Sequence, residues 1–310
     1  MARYLLGRIA SALLVIWLVI TLTFLLMHAI PGGPFSSEKV LPPAIMANIN
    51  QRYHLDDPLS KQYFDYLKNI AHFNFGPTFR YEGRTVNDLF KEGLPKTIEL
   101  GFIATVLALA GGTIMGIIAA LKQNKTPDYI ATFMATIGVS VPSFVLATFL
   151  QYFVGFKTHW FPPIGWGEVK NLVLPALALS AYPIAQITRL TRSSMLDVLN
   201  QDYIRTAKSK GLPGYIIVIR HALRNALIPV VTFMGPFFAY ILTGNFVVEF
   251  VFNIPGIGQF FVTSIGNRDY PVIMGTTILF ATLLVTFNLL VDILYTVLDP
   301  RIKLTGRKGA

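Results

Sequence analysis

Residues 9–30 read IASALLVIWLVITLTFLLMHAI, with no charge apart from the one that His28 can carry. Crossing the roughly 30 Å hydrocarbon core of a bilayer takes about 20 apolar residues in a helix that rises about 1.5 Å per residue. The run therefore reads as a membrane-spanning helix. Arg3 and Arg8 precede it, as they would a secretory signal. It is longer than the roughly 7–15-residue apolar centre of a signal peptide, however, and no clear small-x-small cleavage site follows. We expect it to be retained and to end at Pro31-Gly32-Gly33-Pro34.

The same reading gives five further spans, over residues 97–121, 129–156, 172–188, 227–252 and 272–298. The fourth is short and holds Pro175 and Pro183, so it is expected to be bent or broken. Gly235, Pro236 and Gly244 in the fifth and Gly275 in the sixth allow close approach of neighbouring helices. The expected fold is an all-α integral membrane protein of six transmembrane helices. Residues 1–30 are the N-terminus and first span, 31–96 a small external domain, and 97–310 the core. The core contains a hydrophilic cytoplasmic loop over 193–226.

Composition agrees. Of 310 residues, 53% are hydrophobic and 14% charged, against about a quarter charged in soluble domains. The net charge of +10 could serve nucleic acid or a membrane surface. The basic residues lie mainly in short segments between apolar runs, which favours the membrane and excludes a nucleic-acid partner. Basic residues also set the orientation. Lys122, Lys125, Arg189, Arg192, Arg205, Lys208, Lys210, Arg220 and Arg224 fall on the side of the N-terminus, as do Arg301, Lys303, Arg307 and Lys308 of the tail. The two short loops opposite carry only Lys157, Lys170 and Arg268. Six spans then put both termini in the cytoplasm. Within 31–96, Asp57 is expected to cap a helix that Pro58 opens, with Leu59, Tyr63, Tyr66, Leu67 and Ile70 at helical spacing.

The absences narrow the chemistry. There is no cysteine, hence no disulfide, thiol nucleophile or Cys-ligated metal. No G-x-x-x-x-G-K-[ST] cradles a phosphate, and neither H-E-x-x-H nor G-x-S-x-G occurs. The five histidines are scattered and suggest no metal site. The helix centres are nearly free of ionisable groups, which disfavours an intramembrane enzyme. Glu249 and Asp292 lie near span ends, where a carboxylate is a functional candidate or sits in a hydrated rim. Gln151 and Asn288 read as helix–helix hydrogen-bonding residues.

The loop 193–226 is the most informative segment. Its stretch Asp202-Tyr203-Ile204-Arg205-Thr206-Ala207-Lys208-Ser209-Lys210-Gly211 is expected to form a short basic helix. Asn200 or Asp202 would cap it, Lys208 and Lys210 would complement its C-terminal dipole, and Gly211 would take the left-handed position beyond it. Pro213 prevents simple continuation. A plain topological loop needs no delimited helix; a docking element does.

Arg205-Thr206-Ala207-Lys208-Ser209-Lys210-Gly211, nine residues, then His221-Ala222-Leu223-Arg224-Asn225-Ala226-Leu227-Ile228-Pro229 resembles the cytoplasmic loop of binding-protein-dependent ABC importer permeases. That pattern is Glu-Ala-Ala, three residues, Gly, nine residues, then Ile-x-Leu-Pro. Ala207, Gly211 and Leu223 match it. Arg205, Thr206, His221 and Arg224 depart from it in the manner of the peptide-permease branch. Pro31–Phe35, Tyr53–Pro58, Phe75-Gly76-Pro77, Met234-Gly235-Pro236, Leu242-Thr243-Gly244, Pro255-Gly256-Ile257-Gly258 and Asn267-Arg268-Asp269-Tyr270 also resemble the B subunit of oligopeptide permeases.

The resemblance implies the type I importer permease fold in a bacterial inner membrane, as a non-catalytic subunit. It implies a second homologous permease, two ATP-binding subunits that use ATP and Mg, an extracytoplasmic peptide-binding protein and membrane lipid as partners, with no cofactor on this chain. Tyr203, Ile204, Arg205, Thr206, Ala207, Lys208 and Gly211 would couple to the ATPases. Gly235, Pro236, Thr243, Gly244 and Glu249 would line the pathway. Pro255, Gly256, Gly258, Arg268, Asp269 and Tyr270 would contact the binding protein or form the outer gate. Dipeptide, nickel-chelate, glutathione or oligosaccharide cargo fits the same architecture. An autonomous secondary transporter or channel is the reading from another class.

Overall fold

Close helix crossings organise the protein. The computed structural model describes residues 2–31, 56–242 and 246–298. Helix α1 (Ala2–Ala29) packs against the last helix and turns much of its apolar surface, including Leu13, Leu22 and Leu26, outward. Helix α2 (Leu59–Ala71) lies against the outer end of α1. There the Tyr63 hydroxyl is 2.7 Å from Thr21 Oγ1, the rings of Tyr63 and Tyr66 approach Phe24, and His28 Nε2 is 3.1 Å from Gln62 Oε1. Pro58 is its cap residue and Asp57 pairs with Lys61 at 3.0 Å, so the expected capping by Asp57 is replaced by an ion pair one turn along.

Helix α3 (Val86–Leu121) starts well before residue 97. A reciprocal cap explains this. Thr85 Oγ1 accepts the Asp88 N–H at 3.3 Å, while the Asp88 carboxylate accepts the Thr85 N–H at 2.9 Å. Helix α4 (Thr126–Ser140) turns through 105° into α5 (Ser143–Leu150), which continues as a π-helical stretch, Gln151–Lys157. The uniform span expected over 129–156 is therefore broken. Pro142 has no N–H to donate and holds Val141 in an extended conformation, φ −90° and ψ 120°.

The fourth apolar run behaves in the opposite way. Helix α6 (Val169–Leu199) is continuous through Pro175 and Pro183, which corrects the expected break. It is packed against α3 along its length, and that packing holds the turns whose hydrogen bonds the prolines remove. Helix α7 (Asp202–Ser209) follows, then α8 (Gly214–Ile216), a π-helical stretch Ile217–Ala222, and α9 (Leu223–Ala226). Helix α10 (Ile228–Leu242) and α11 (Phe246–Val251) occupy the fifth run, with α12 (Ile257–Asn267) and α13 (Tyr270–Leu298) after them. Among the described residues no β-strand occurs; a single bridge joins Pro77 and Thr85. Four helices (α1, α3, α6, α13) are long and apolar enough to span a membrane, and the bent α4–α5 pair would make a fifth.

Glycines on α3 set its closest crossing with α6. A Cβ at Gly112 would lie 2.6 Å from Ile187 Cβ, and one at Gly116 2.5 Å from Thr191 Cβ and 2.8 Å from the Thr188 carbonyl. Small residues let backbones approach where dispersion, rather than water exclusion, drives association. Gly112→Ala and Gly116→Ala should each destabilise the protein by about 1–3 kcal/mol through overpacking. Gly111→Ala, whose nearest neighbour would be Ile184 at 3.7 Å, should be close to neutral. Thermal unfolding of the three variants in one detergent tests the ordering.

Candidate functional site

One end of the bundle is built around α7. Gln201, extended at φ −74° and ψ 151°, is the cap residue and makes no side-chain cap bond. The capping expected from Asn200 or Asp202 is thus absent: Asn200 donates to the Leu196 carbonyl at 2.9 Å, and Asp202 is the first helical residue. The C-terminus forms as expected. Gly211 is left-handed at φ +73°, its N–H donates to Lys208 O at 3.0 Å, and Leu212 N–H donates to Ala207 O at 3.4 Å. This pairing closes a Schellman motif and fixes the helix length.

Ile204 and Ala207 face inward. Together with Met195 of α6, and Ile217, Ala222 and Ala226 of the following segment, they form a buried cluster. Both are buried against residues of their own chain, where they anchor α7. The alternation is helical: residues three apart share a face, and the inward pair carries the small, apolar side chains. The outward face holds Tyr203, Arg205, Thr206 and Lys208. Asn225 Nδ2 donates to the Tyr203 hydroxyl at 2.9 Å, bracing α7 against the segment that returns to the membrane. A half-buried ion pair lies nearby. Arg192 of α6 grips Asp128 at the start of α4 through Nε–Oδ1 at 2.5 Å and Nη2–Oδ2 at 2.8 Å, and Asn124 N–H adds a third bond. Neither partner is singled out by the sequence, since the bond joins residues 64 apart.

Ahead of α12, Pro255-Gly256-Ile257-Gly258 is a packed turn rather than an exposed loop. Gly256, Gly258, Asp269 and Tyr270 are buried, and Arg268 and Pro255 are partly exposed. Asp269 Oδ1 accepts the Phe79 N–H at 3.1 Å, and Arg80 Nε donates to the Asn267 carbonyl at 2.7 Å. Burial pushes the Asp269 carboxyl above the usual carboxylate range, against the N–H groups of Phe79, Val272 and Arg80, which favour its charged form. Phe73–Asn74 is a structural turn: Asn87 accepts Phe75 N–H and donates to the Phe73 carbonyl.

Of the expected pathway residues, Glu249 is buried on α11 and its carboxylate turns to the Pro-Gly-Ile-Gly turn, accepting Gly258 N–H at 2.8 Å. It does not face an open path. Thr243 and Gly244 lie outside the described residues. Gly235 and Pro236 belong to α10, of whose side chains there nothing is described; Asp292 on α13 is in the same position. Gln151 joins helices as expected, donating to Val251 O at 2.6 Å and Pro163 O at 3.2 Å. Among the described residues no cluster of His, Asp or Glu could hold a metal ion.

A multi-span helical bundle with a delimited basic helix on one face is shared by many transporters, and sequence relationship decides among them. Residues 112–304 match the family of binding-protein-dependent transport system inner membrane components, and residues 1–100 match that family's N-terminal region. The chain belongs to this family. Full-length relatives agree. The dipeptide transport system permease protein DppB of Bacillus subtilis (strain 168) is 50% identical over 311 residues, covering 100% of both chains. The oligopeptide transport system permease protein OppB of Escherichia coli (strain K12) is 46% identical over 305 residues, covering 98% of this chain and all of the relative. DppB of Lactococcus lactis subsp. cremoris (strain MG1363) is 42% identical with similar coverage. The family is one of membrane components of transport systems, and the relatives are permease subunits rather than enzymes.

The left-handed Gly211 yields a direct test. A branched side chain there is strained by about 1–2 kcal/mol. Gly211→Val should therefore fray the end of α7 and raise amide exchange over residues 204–210, while the α3–α6 crossing keeps its protection; hydrogen exchange of the purified protein reads both.

Proposed function

We propose that this chain is the membrane-spanning permease of an ATP-driven importer that takes up oligopeptides delivered by an extracytoplasmic binding protein. The observation that carries the reading is α7. It is a helix of set length, anchored by Ile204 and Ala207 and presenting Tyr203, Arg205, Thr206 and Lys208 to the cytoplasm. An energy source on another subunit needs such a solid handle, because this chain has no phosphate cradle of its own. Docking of α7 in a cleft of one ATPase would pass closure of the nucleotide sandwich to α6 and α10, and thereby bias a two-state bundle. ATP and Mg belong to those subunits.

Six spans follow when α4 with α5, and α10 with α11, are each taken as one crossing alongside α1, α3, α6 and α13. Both termini are then cytoplasmic, and residues 31–96 contribute an external domain that includes the first turns of α3. A second, homologous permease would complete the pathway in the inner membrane. Support for peptide cargo comes from the relatives' names together with a bundle poor in fixed charge, which suits substrates recognised through their backbones. Dipeptides are the second reading of the cargo, because the 50% identical relative carries that cargo in its name.

The assembled transporter in vesicles tests the proposal. Uptake of a ladder of labelled peptides, from dipeptide upward, should need ATP and binding protein. Uptake by the purified chain alone, without either, overturns it. Arg205→Glu should weaken ATPase docking by about tenfold, equivalent to ~1.4 kcal/mol for one charge contact; sedimentation of the ATPase subunits with permease-bearing membranes measures it.

A further inference from the structure

Glu249 is a buried carboxylate, 1% exposed. Its oxygens accept the N–H groups of Gly258 and Gln259, and Thr97 of α3 donates its hydroxyl to them. Thr97 Oγ1 in turn accepts the Ile257 N–H at 3.0 Å. Ile257, Gly258 and Gln259 open α12. Three of the four N–H groups that a helix start leaves without a partner are thus held by two side chains from two other helices.

The glycines of Pro255-Gly256-Ile257-Gly258 shape the socket. A Cβ on Gly256 would collide with the Glu249 carboxylate and come within 2.7 Å of Thr97 Oγ1. A Cβ on Gly258 would lie 2.5 Å from the backbone of Phe246. At its other end α12 is tied to a different part of the chain. Arg268 turns left-handed at φ +52°, Asp269 N–H donates to Ser264 O at 3.0 Å, and the Asp269 carboxylate takes the Phe79 N–H.

We propose that Glu249, with Thr97, is a positioning residue of the transport cycle, joining α12, α11 and the outer part of α3 into one gate element that moves as a unit. This inference rests on the importer reading above. The substrate passes the outer face only when that unit moves, so a loosened clamp lets ATP hydrolysis proceed without passage of cargo.

The test is the number of peptides imported per ATP hydrolysed by the complete transporter with loaded binding protein. Misfolding or poor assembly lowers uptake and stimulated hydrolysis together and leaves this ratio unchanged. Glu249→Gln and the isosteric Thr97→Val should each lower the ratio by about fivefold or more, the scale expected when a buried donor loses its acceptor. Because both act through α12, the double variant should fall no further than the worse single variant. A ratio equal to that of the unaltered transporter in both variants overturns the inference, whether or not uptake falls. Losses that multiply in the double variant overturn the shared clamp. If the unaltered transporter ignores ATP and binding protein, the importer reading fails first and takes this inference with it.

Discussion

The backbone-to-backbone approach of α3 and α6 is the constraint on which the other contacts depend. Gly112 and Gly116 leave no room for a side chain against Ile187, Thr188 and Thr191. In an apolar solvent there is little hydrophobic gain from bringing two helices together, so close van der Waals contact must hold them. That crossing keeps α6 straight through two prolines. It also sets where the cytoplasmic end of α6 presents Met195 to α7, and where α3 presents Thr97 to the outer turn.

The two faces of the membrane are organised by the same physical device. At each, a short helix is fixed by satisfying its ends and burying one side. Helix α7 closes with a left-handed glycine and seats Ile204 and Ala207 in its own subunit's core. Helix α12 begins on side chains from α11 and α3 and closes with a left-handed Arg268. The difference lies in the surface left over. Helix α7 offers a basic, solvated face, whereas the start of α12 is sunk among buried neighbours. One end is suited to being grasped, the other to being moved.

Much of this was legible in the sequence because the relevant rules are local. The apolar runs gave the long helices. Gly211 and Pro213 gave the end of α7, and Thr85 with Asp88 could have given the start of α3. Proline acts in opposite ways in two runs. The helix ends at Val141 before Pro142, while α6 continues through Pro175 and Pro183, packed against α3. Local propensity cannot distinguish those cases; tertiary packing can. Glu249 stood out as a buried carboxylate, yet its direction depends on Thr97, 152 positions earlier in the chain. Asp128 with Arg192, and Asp269 with Phe79, escaped notice for the same reason. The inward turn of Ile204 and Ala207 follows from helical periodicity, but only once the core that receives them is known.

The continuity of α6 has a mechanical consequence. At about 1.5 Å per residue, Thr188 sits some 17 Å from Leu199 at the cytoplasmic end and some 28 Å from Val169 at the outer end. A stiff rod turning about the glycine crossing would be a lever with unequal arms. A displacement imposed beside α7 would arrive at the outer face reversed in direction and enlarged by a factor of about 1.7, the ratio of those lengths. The uninterrupted helix thus allows a small stroke on one side of the bilayer to become a larger one on the other, with no intermediate joint to absorb it.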